Sequence, residues 1–308
     1  MRVPRALQKG DTVALLSPSS PLSSEQPVEQ VAAAVERLGL CPKLYPSCWG
    51  SAPSGYSAAS PEQRAKDLQS AFLDEEVQGI WCTRGGSTAA RLLPFLDFQR
   101  IAGHPKPLIG FSDITTLHMA LQQRCGFVTY HGPNANRALG WKDAQDFSWQ
   151  SLRAAWNVCG TTELQNPPDE PILTIRSGWG EGRLIGGNLS LVTASLGTRW
   201  QIDAKGKVLF LEDVGEDVYV LERMLTQLRY AGILAQTTAL VFGCFAGCSN
   251  SYRPSYGAQQ LIEDLFADWC CPVLYNVRSA HCHPMVTLPM GMRCLVDGCG
   301  GRLLIFPE

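Results

Sequence analysis

A chain of 308 residues, 45% of them hydrophobic and with a formal net charge of −2, describes an ordinary soluble globular protein long enough for two packed lobes. No basic surplus points to nucleic acid, and the apolar run 13–16 behind Arg2, Arg5 and Lys9 is far too short for a signal peptide or a membrane span. The twelve cysteines sit mostly inside apolar runs, as Cys82, Cys125, Cys244 and Cys294 do, where reduced thiols behave as small buried hydrophobes, so a cytoplasmic location is expected.

In chain order, residues 12–16 form a short apolar run, followed by the turn-rich segment 17–21 and a helix-spaced segment 28–38 with Val31, Val35 and Leu38 on one face. Residues 77–82 repeat the strand pattern. Arg84-Gly85-Gly86 supplies a turn, and Ser87 or Thr88 is placed to cap a helix carrying Ala89, Leu92, Leu93 and Leu96. A third strand, 108–111, leads through Ser112 into a helix over 115–122. Strands alternating with helices predict an α/β fold whose N-terminal sheet is mostly parallel and flanked by helices, with ligands beyond the carboxyl ends of the strands, where Gly86 and Ser112 fall. The pattern weakens between Trp141 and Trp179, and the proline-rich stretch 165–171 is loop chemistry. A domain over 1–160, a linker over 161–182 and a smaller, β-rich α+β domain over 183–308 are therefore expected. The second domain has a buried strand at 208–211 and an amphipathic helix with Leu221, Met224, Leu225 and Leu228 on one face. Short strands follow near 240–245, 273–277 and 294–296.

Gly110-Phe111-Ser112-Asp113 reads as a nucleophile elbow, in which a tight strand-to-helix turn exposes one hydroxyl and aims the following backbone N–H groups at whatever it attacks. A serine hydroxyl needs a base, and the base an orienting acid. His104 lies in a proline-rich loop, His118 faces away from Ser112 on the next helix, and His131 follows a strand end and could line the cleft. His281 and His283 share a loop after the strand at 273–277. Each competes with a histidine merely satisfied by backbone carbonyls. Leu211-Glu212-Asp213 stops an apolar strand at two carboxylates. Glu212 suits a held partner, and Asp213 suits capping of the loop from Val214. Gly85-Gly86 could cradle a phosphate or bring an N–H to a carbonyl oxygen, but the run lacks a P-loop lysine. Cys282 with its flanking histidines, or Cys244 with Cys248, lacks the paired knuckles of a zinc site, so no metal is expected.

The ordered set of motifs resembles the serine LD-carboxypeptidases, also called muramoyltetrapeptide carboxypeptidases, and their microcin-immunity relatives. The resemblance spans Lys9-Gly10-Asp11, Ser17-Pro18-Ser19, Arg84-Gly85-Gly86, Gly110-Phe111-Ser112-Asp113, His131-Gly132-Pro133, Gly186-Gly187-Asn188-Leu189, Leu211-Glu212-Asp213 and His281 followed by Thr287-Leu288-Pro289. It implies Ser112 as nucleophile, Glu212 as orienting acid and His281, six positions before the threonine, as base. It also implies an oxyanion hole from the N–H groups of Gly86 and Asp113. The substrate implied is a murein tetrapeptide losing its terminal D-alanine, with no cofactor, nucleic acid or membrane involved, and relatives often form homodimers. Where relatives have Tyr-Gly this chain has Ser87-Thr88, and where they have glycine it has Ala280. Arg84, Ser87 and Trp179 are candidate substrate contacts, the tryptophan as a nucleobase stack if the substrate is an aminoacyl-nucleotide antibiotic. A silent binder of wall fragments is the alternative from another class. A glutaminase would need cysteine at position 112.

Overall fold

The computed structural model describes residues 1–141 and 145–307. In chain order its strands and α-helices are β1 (Thr12–Leu16), α1 (Val28–Arg37), β2 (Cys41–Leu44), α2 (Pro61–Leu73), β3 (Gly79–Cys82), α3 (Phe98–Ala102), β4 (Leu108–Gly110), α4 (Thr115–Cys125), β5 (Thr129–His131) and α5 (Phe147–Trp156). They continue with β6 (Thr162–Glu163), β7 (Leu173–Arg176), β8 (Trp179–Asn188), α6 (Leu189–Ala194), β9 (Val208–Val214), α7 (Val218–Tyr230) and β10 (Ala239–Ala246). The last elements are α8 (Ala258–Phe266), β11 (Val273–Tyr275), β12 (Leu288–Met290), β13 (Arg293–Asp297) and β14 (Arg302–Ile305). The chain divides into two compact units, the first Met1–Asn157 with Thr287–Pro289 and the second Val158–Val286 with Met290–Glu308.

Unit one carries a six-stranded sheet in the order β12-β5-β4-β3-β1-β2, with parallel pairing from β5 through to β2. Strands 1, 3 and 4 are near-continuous apolar runs because helices cover both faces of a parallel sheet. The strand order reverses between β1 and β3, so the loops leaving Leu16 and Cys82 open a crevice at that switch point. In α1, Val31 and Val35 are fully buried, and the turn closes at Gly39 in the left-handed region (φ 88°). The start of α2 is set by Ser60, whose side chain accepts from the Gln63 N–H at 3.2 Å, with Pro61 at the first helical position.

Unit two carries an eight-stranded sheet in the order β6-β14-β13-β8-β9-β10-β11-β7. Its centre, β8 to β11, is parallel, while β7, β13, β14 and β6 add antiparallel margins. The expected α/β architecture with a β-rich second unit is borne out. As expected, α7 buries Leu221, Met224, Leu225 and Leu228 along one face.

Two local readings need correction. Residues 89–95 form a 3-10 helix, not an α-helix: Pro94 lies inside it, and Thr88 makes no side-chain cap. Residues 161–182 hold β6, β7 and the start of β8. The two residues of β6 are exposed and β7 is an edge strand with alternating exposure, so neither has the apolar pattern that marks a central strand. No helix among the described residues is long and apolar enough to cross a membrane.

Candidate active site

In unit one, β4 ends at Gly110 and the chain turns sharply at Ser112, which adopts a left-handed backbone (φ 66°) before the helix begins. A serine in that region is strained by about 1–3 kcal/mol, a cost retained where the surroundings over-determine the turn. Several groups do so. The His118 imidazole reaches back from α4 to the Gly110 carbonyl at 2.9 Å, and a carbonyl only accepts, so Nε2 carries the proton. Complete burial pulls the His118 pKa down to about 4, which keeps the ring neutral. Asn134 Oδ1 accepts the Phe111 N–H at 3.2 Å.

The glycine turn after β3 lies against this elbow. A Cβ on Gly85 would sit 2.9 Å from the Ser112 Cβ and 3.2 Å from its Oγ. A Cβ on Gly86 would sit 2.2 Å from Ser20 Oγ and 2.4 Å from Ser19 Oγ, and its φ of 154° is one that side chains rarely allow. Backbone can approach here only because both residues are glycine. The fully buried Asp113 carboxylate fixes the turn from below. Its Oδ2 accepts the Ser19 hydroxyl and, at 2.7 Å, the Ala89 N–H, while Ser19 Oγ in turn accepts the Thr88 N–H at 3.1 Å. This network, not a local cap, starts the 3-10 turn at Ala89. Arg64, buried and donating to the carbonyls of Pro18 and Ala59 and to Thr88 Oγ1, ties the same loops to α2.

In unit two, Gly186 and Gly187 (φ 109° and 138°) let β8 hug β9, and a Cβ on Gly186 would fall 2.0 Å from the Phe210 carbonyl. The register places Asn188 opposite Glu212. Gly243 on β10 leaves room on the other side, since a Cβ there would lie 3.1 Å from that of Glu212. The Glu212 carboxylate is fully buried, and its Oε2 lies 2.8 Å from His281 Nδ1. Burial pushes the Glu212 pKa up, while the hydrogen bond from His281 and that from Asn188 pull the other way. Asp213 points elsewhere: Oδ1 accepts from Asn188 Nδ2 and the Val214 N–H, and Oδ2 accepts from the Ser190 N–H and hydroxyl. His281 hangs on a loop whose preceding residue, Ala280, is buried with φ 92°. That is a backbone glycine would accept without strain.

The sequence candidates thus fall in two places. Ser112, Asp113, Gly86 and, exposed beside it, Arg84 and Ser87 lie in unit one, and Glu212 with His281 in unit two. Arg84 donates to the Pro21 carbonyl at 3.2 Å. His131, read as able to line a cleft, is instead completely buried with its ring edge-on to Phe111. The Gly132 beside it packs on Thr287, where a Cβ would meet Oγ1 at 2.7 Å, so two of the quoted motifs meet inside unit one. Trp179 is 60% exposed and begins β8, nine residues from Asn188 and so up to about 30 Å along the strand from the residue opposite Glu212. The structure does not bring it to that carboxylate. Asn188, Ser19 and His118 were not read as site residues. The first two stand in quoted motifs without a role: Asn188 caps α6 locally by accepting the Leu191 N–H at 3.2 Å, but its bonds toward Glu212 and Asp213, like that of Ser19 to Asp113, reach 24 or more positions along the sequence. Among the described residues no group of three or more His, Cys, Asp or Glu is placed to hold a metal ion.

The chain belongs to the LD-carboxypeptidase family, a class of serine peptidases: residues 13–132 match the LD-carboxypeptidase N-terminal domain and residues 181–296 the LD-carboxypeptidase C-terminal domain. It is 35% identical over 298 residues to the probable murein peptide carboxypeptidase of Bacillus subtilis, covering 96% of this chain and 91% of that one. A crystal structure of muramoyltetrapeptide carboxypeptidase from Oxalobacter formigenes superposes with a TM-score of 0.81 at 27% identity, covering 96% of this chain and all of that one (100%). The structure of MccF in complex with glutamyl sulfamoyl guanosine gives a TM-score of 0.91 at 22% identity over 99% of this chain and 98% of that one, a likeness of fold alone. The family expected from the sequence is borne out.

Proposed function

We propose that this protein is a serine carboxypeptidase that hydrolyses the L,D-peptide bond of murein tetrapeptides and releases the terminal D-alanine. The observation that carries the reading is the hydrogen bond between His281 Nδ1 and the buried Glu212 carboxylate. A carboxylate on Nδ1 fixes the tautomer in which Nε2 is the basic nitrogen, and it stabilises the imidazolium once Nε2 takes a proton. In this reading Ser112 Oγ attacks the peptide carbonyl as its proton passes to His281 Nε2. The oxyanion is held by the N–H groups of Gly86 and Asp113, each worth about 2.7–4 kcal/mol of transition-state stabilisation. His281 then protonates the departing amine of D-alanine, and water releases the acyl group from Ser112 by the same route in reverse. The left-handed backbone of Ser112, the contact with Gly85 and the close approach at Gly86 support these roles. Arg84 and Ser87, exposed beside Gly86, are the proposed contacts to the terminal carboxylate and the peptide. Twelve free thiols support a cytoplasmic location.

The test compares two substrates on the purified chain, D-alanine release from a murein tetrapeptide and hydrolysis of an aminoacyl-sulfamoyl nucleoside. The reading expects the first to be the faster by kcat/KM. A preference for the nucleoside would replace it with an immunity-type peptidase, and binding of tetrapeptide without hydrolysis would replace it with a silent binder.

A further inference from the structure

The proline-rich stretch 165–171 leads into β7 and has no part in the chemistry above, yet one of its side chains grips the backbone that carries His281. β7 pairs antiparallel with β11 as far as Leu173 opposite Tyr275. The ladder cannot run on from there, because Pro171, Pro168 and Pro167 have no N–H to donate and Asn276 turns into the left-handed region (φ 64°). The side-chain amide of Asn166 takes its place. Nδ2 donates to the carbonyls of Asn276 and Glu170, each at 2.7 Å, and Oδ1 accepts the Arg278 N–H at 2.9 Å. Carbonyls at one end and an N–H at the other fix which end of the amide is nitrogen and engage both of its donors.

Those bonds hold one particular length of backbone. On its opposite side the Val277 N–H donates to the Phe242 carbonyl of β10 at 3.1 Å, so residues 276–278 are gripped between β10 and Asn166 as a strand is between two neighbours. The Arg278 carbonyl then accepts the Val286 N–H at 2.7 Å, which closes the loop 279–285 on Arg278. His281 is carried by that loop, and its Nδ1 meets Glu212. A further bond runs from Asn276 Nδ2 to the Pro171 carbonyl at 2.9 Å. The Glu170 carboxylate lies 3.7 Å from the Arg278 guanidinium, with side chains 42% and 19% exposed, so this ion pair adds little and the Asn166 amide is the main tie.

We propose that Asn166 is a positioning residue for the reaction: its amide fixes Arg278, and the loop closed on Arg278 sets the His281 imidazole on Glu212. Loss of the amide frees the N–H of the anchoring residue and lets the loop shift. A displacement of about 1 Å at a reacting group lowers turnover about 100-fold. A residue that acts only through the base changes kcat and leaves KM alone. The effect on turnover rests on His281 acting as proposed above, whereas the placement of its ring does not.

The test compares the wild-type chain with Asn166→Ala and Asn166→Asp. The aspartate keeps an acceptor for the Arg278 N–H and loses both donors, so the two variants remove different parts of the grip. Each is matched for folded concentration by circular dichroism, followed for D-alanine release, and examined by proton NMR for the His281 Nδ1–H resonance, identified by its absence from His281→Ala. The expected result is kcat down about 100-fold at unchanged KM in both variants, with that resonance displaced or lost. An unchanged resonance in both variants overturns the proposal, as does an effect confined to KM or one accounted for by unfolding. A resonance displaced in both variants of a chain whose wild type never releases D-alanine refutes the peptidase reading, while the placement of the ring by Asn166 stands.

Discussion

Replacing Glu212 with Gln separates catalysis from stability. In the native protein the buried Glu212 oxygen accepts the Nδ1–H of His281 at 2.8 Å. A Gln amide of the same shape can offer its own N–H to Nδ1, which moves the imidazole proton to Nε2 and removes the base. Loss of the correct tautomer in a serine–histidine–carboxylate set costs about 10⁴ in kcat, or about 5.5 kcal/mol at the transition state. Stability should move the other way. Burial raises the folded-state pKa of Glu212 above its unfolded value, so the folded protein holds the proton more tightly, and the stability associated with this group is lost as pH rises through the folded pKa. Burial of this titratable group therefore works against folding as pH rises, and Glu212→Gln removes that pH-dependent cost. D-alanine release measured alongside urea unfolding at pH 7 should show kcat down about 10⁴-fold with stability equal to or above that of the wild type. A variant within tenfold of wild-type kcat, or one whose activity loss is matched by unfolding, would refute the reasoning.

Other expectations follow from the same geometry. Ser112→Gly should be more stable than Ser112→Ala by about 1 kcal/mol, because only glycine relieves the left-handed backbone, with both inactive; equal melting temperatures would count against strain at the elbow. The neutral His118, with its pKa lowered to about 4, binds no proton in the folded state where the unfolded chain does, so stability is full above pH 6.5 and falls as pH drops toward 4. The loss at pH 5 is about 2 kcal/mol, and His118→Gln should flatten this dependence in urea titrations at the two pH values. Asp113→Ala removes the acceptor for Ser19 and Ala89, and at about 1.5 kcal/mol or more for each bond to a buried charge it should destabilise by about 3 kcal/mol in the same assay. Arg84→Ala should raise KM with little change in melting temperature, since the side chain is exposed and donates to one carbonyl.

What could be read from the sequence was local. A strand ending in a serine turn, a strand ending in two carboxylates and a helix with a four-residue apolar face each lie within a dozen residues, and each has its counterpart in the structure. The division of labour between Glu212 and Asp213 was also legible, because a carboxylate one residue from Val214 can accept its N–H, as Asp213 does at 2.8 Å. Spacing could not separate His281 from His283, and only the likeness to a family chose between them. In the structure the His281 side chain is 14% exposed on Glu212, while His283 is exposed. The 3-10 turn at Ala89 could not be read locally, since the group accepting its N–H belongs to Asp113, 24 residues on. Nor could the distance of Trp179 from Glu212, which is set by the register of β8 on β9. Pairing across a sheet depends on every strand between, and no local window contains it.

The central claim is that Ser112 acts as nucleophile with His281 as its base on a murein peptide. It is tested most directly by D-alanine release from tetrapeptide by the wild-type chain, Ser112→Ala and His281→Ala, each matched for folded concentration by circular dichroism. The account predicts release by the wild type alone, with each variant lower by about 10⁴-fold or more. Release by either variant within tenfold of the wild-type rate would contradict it.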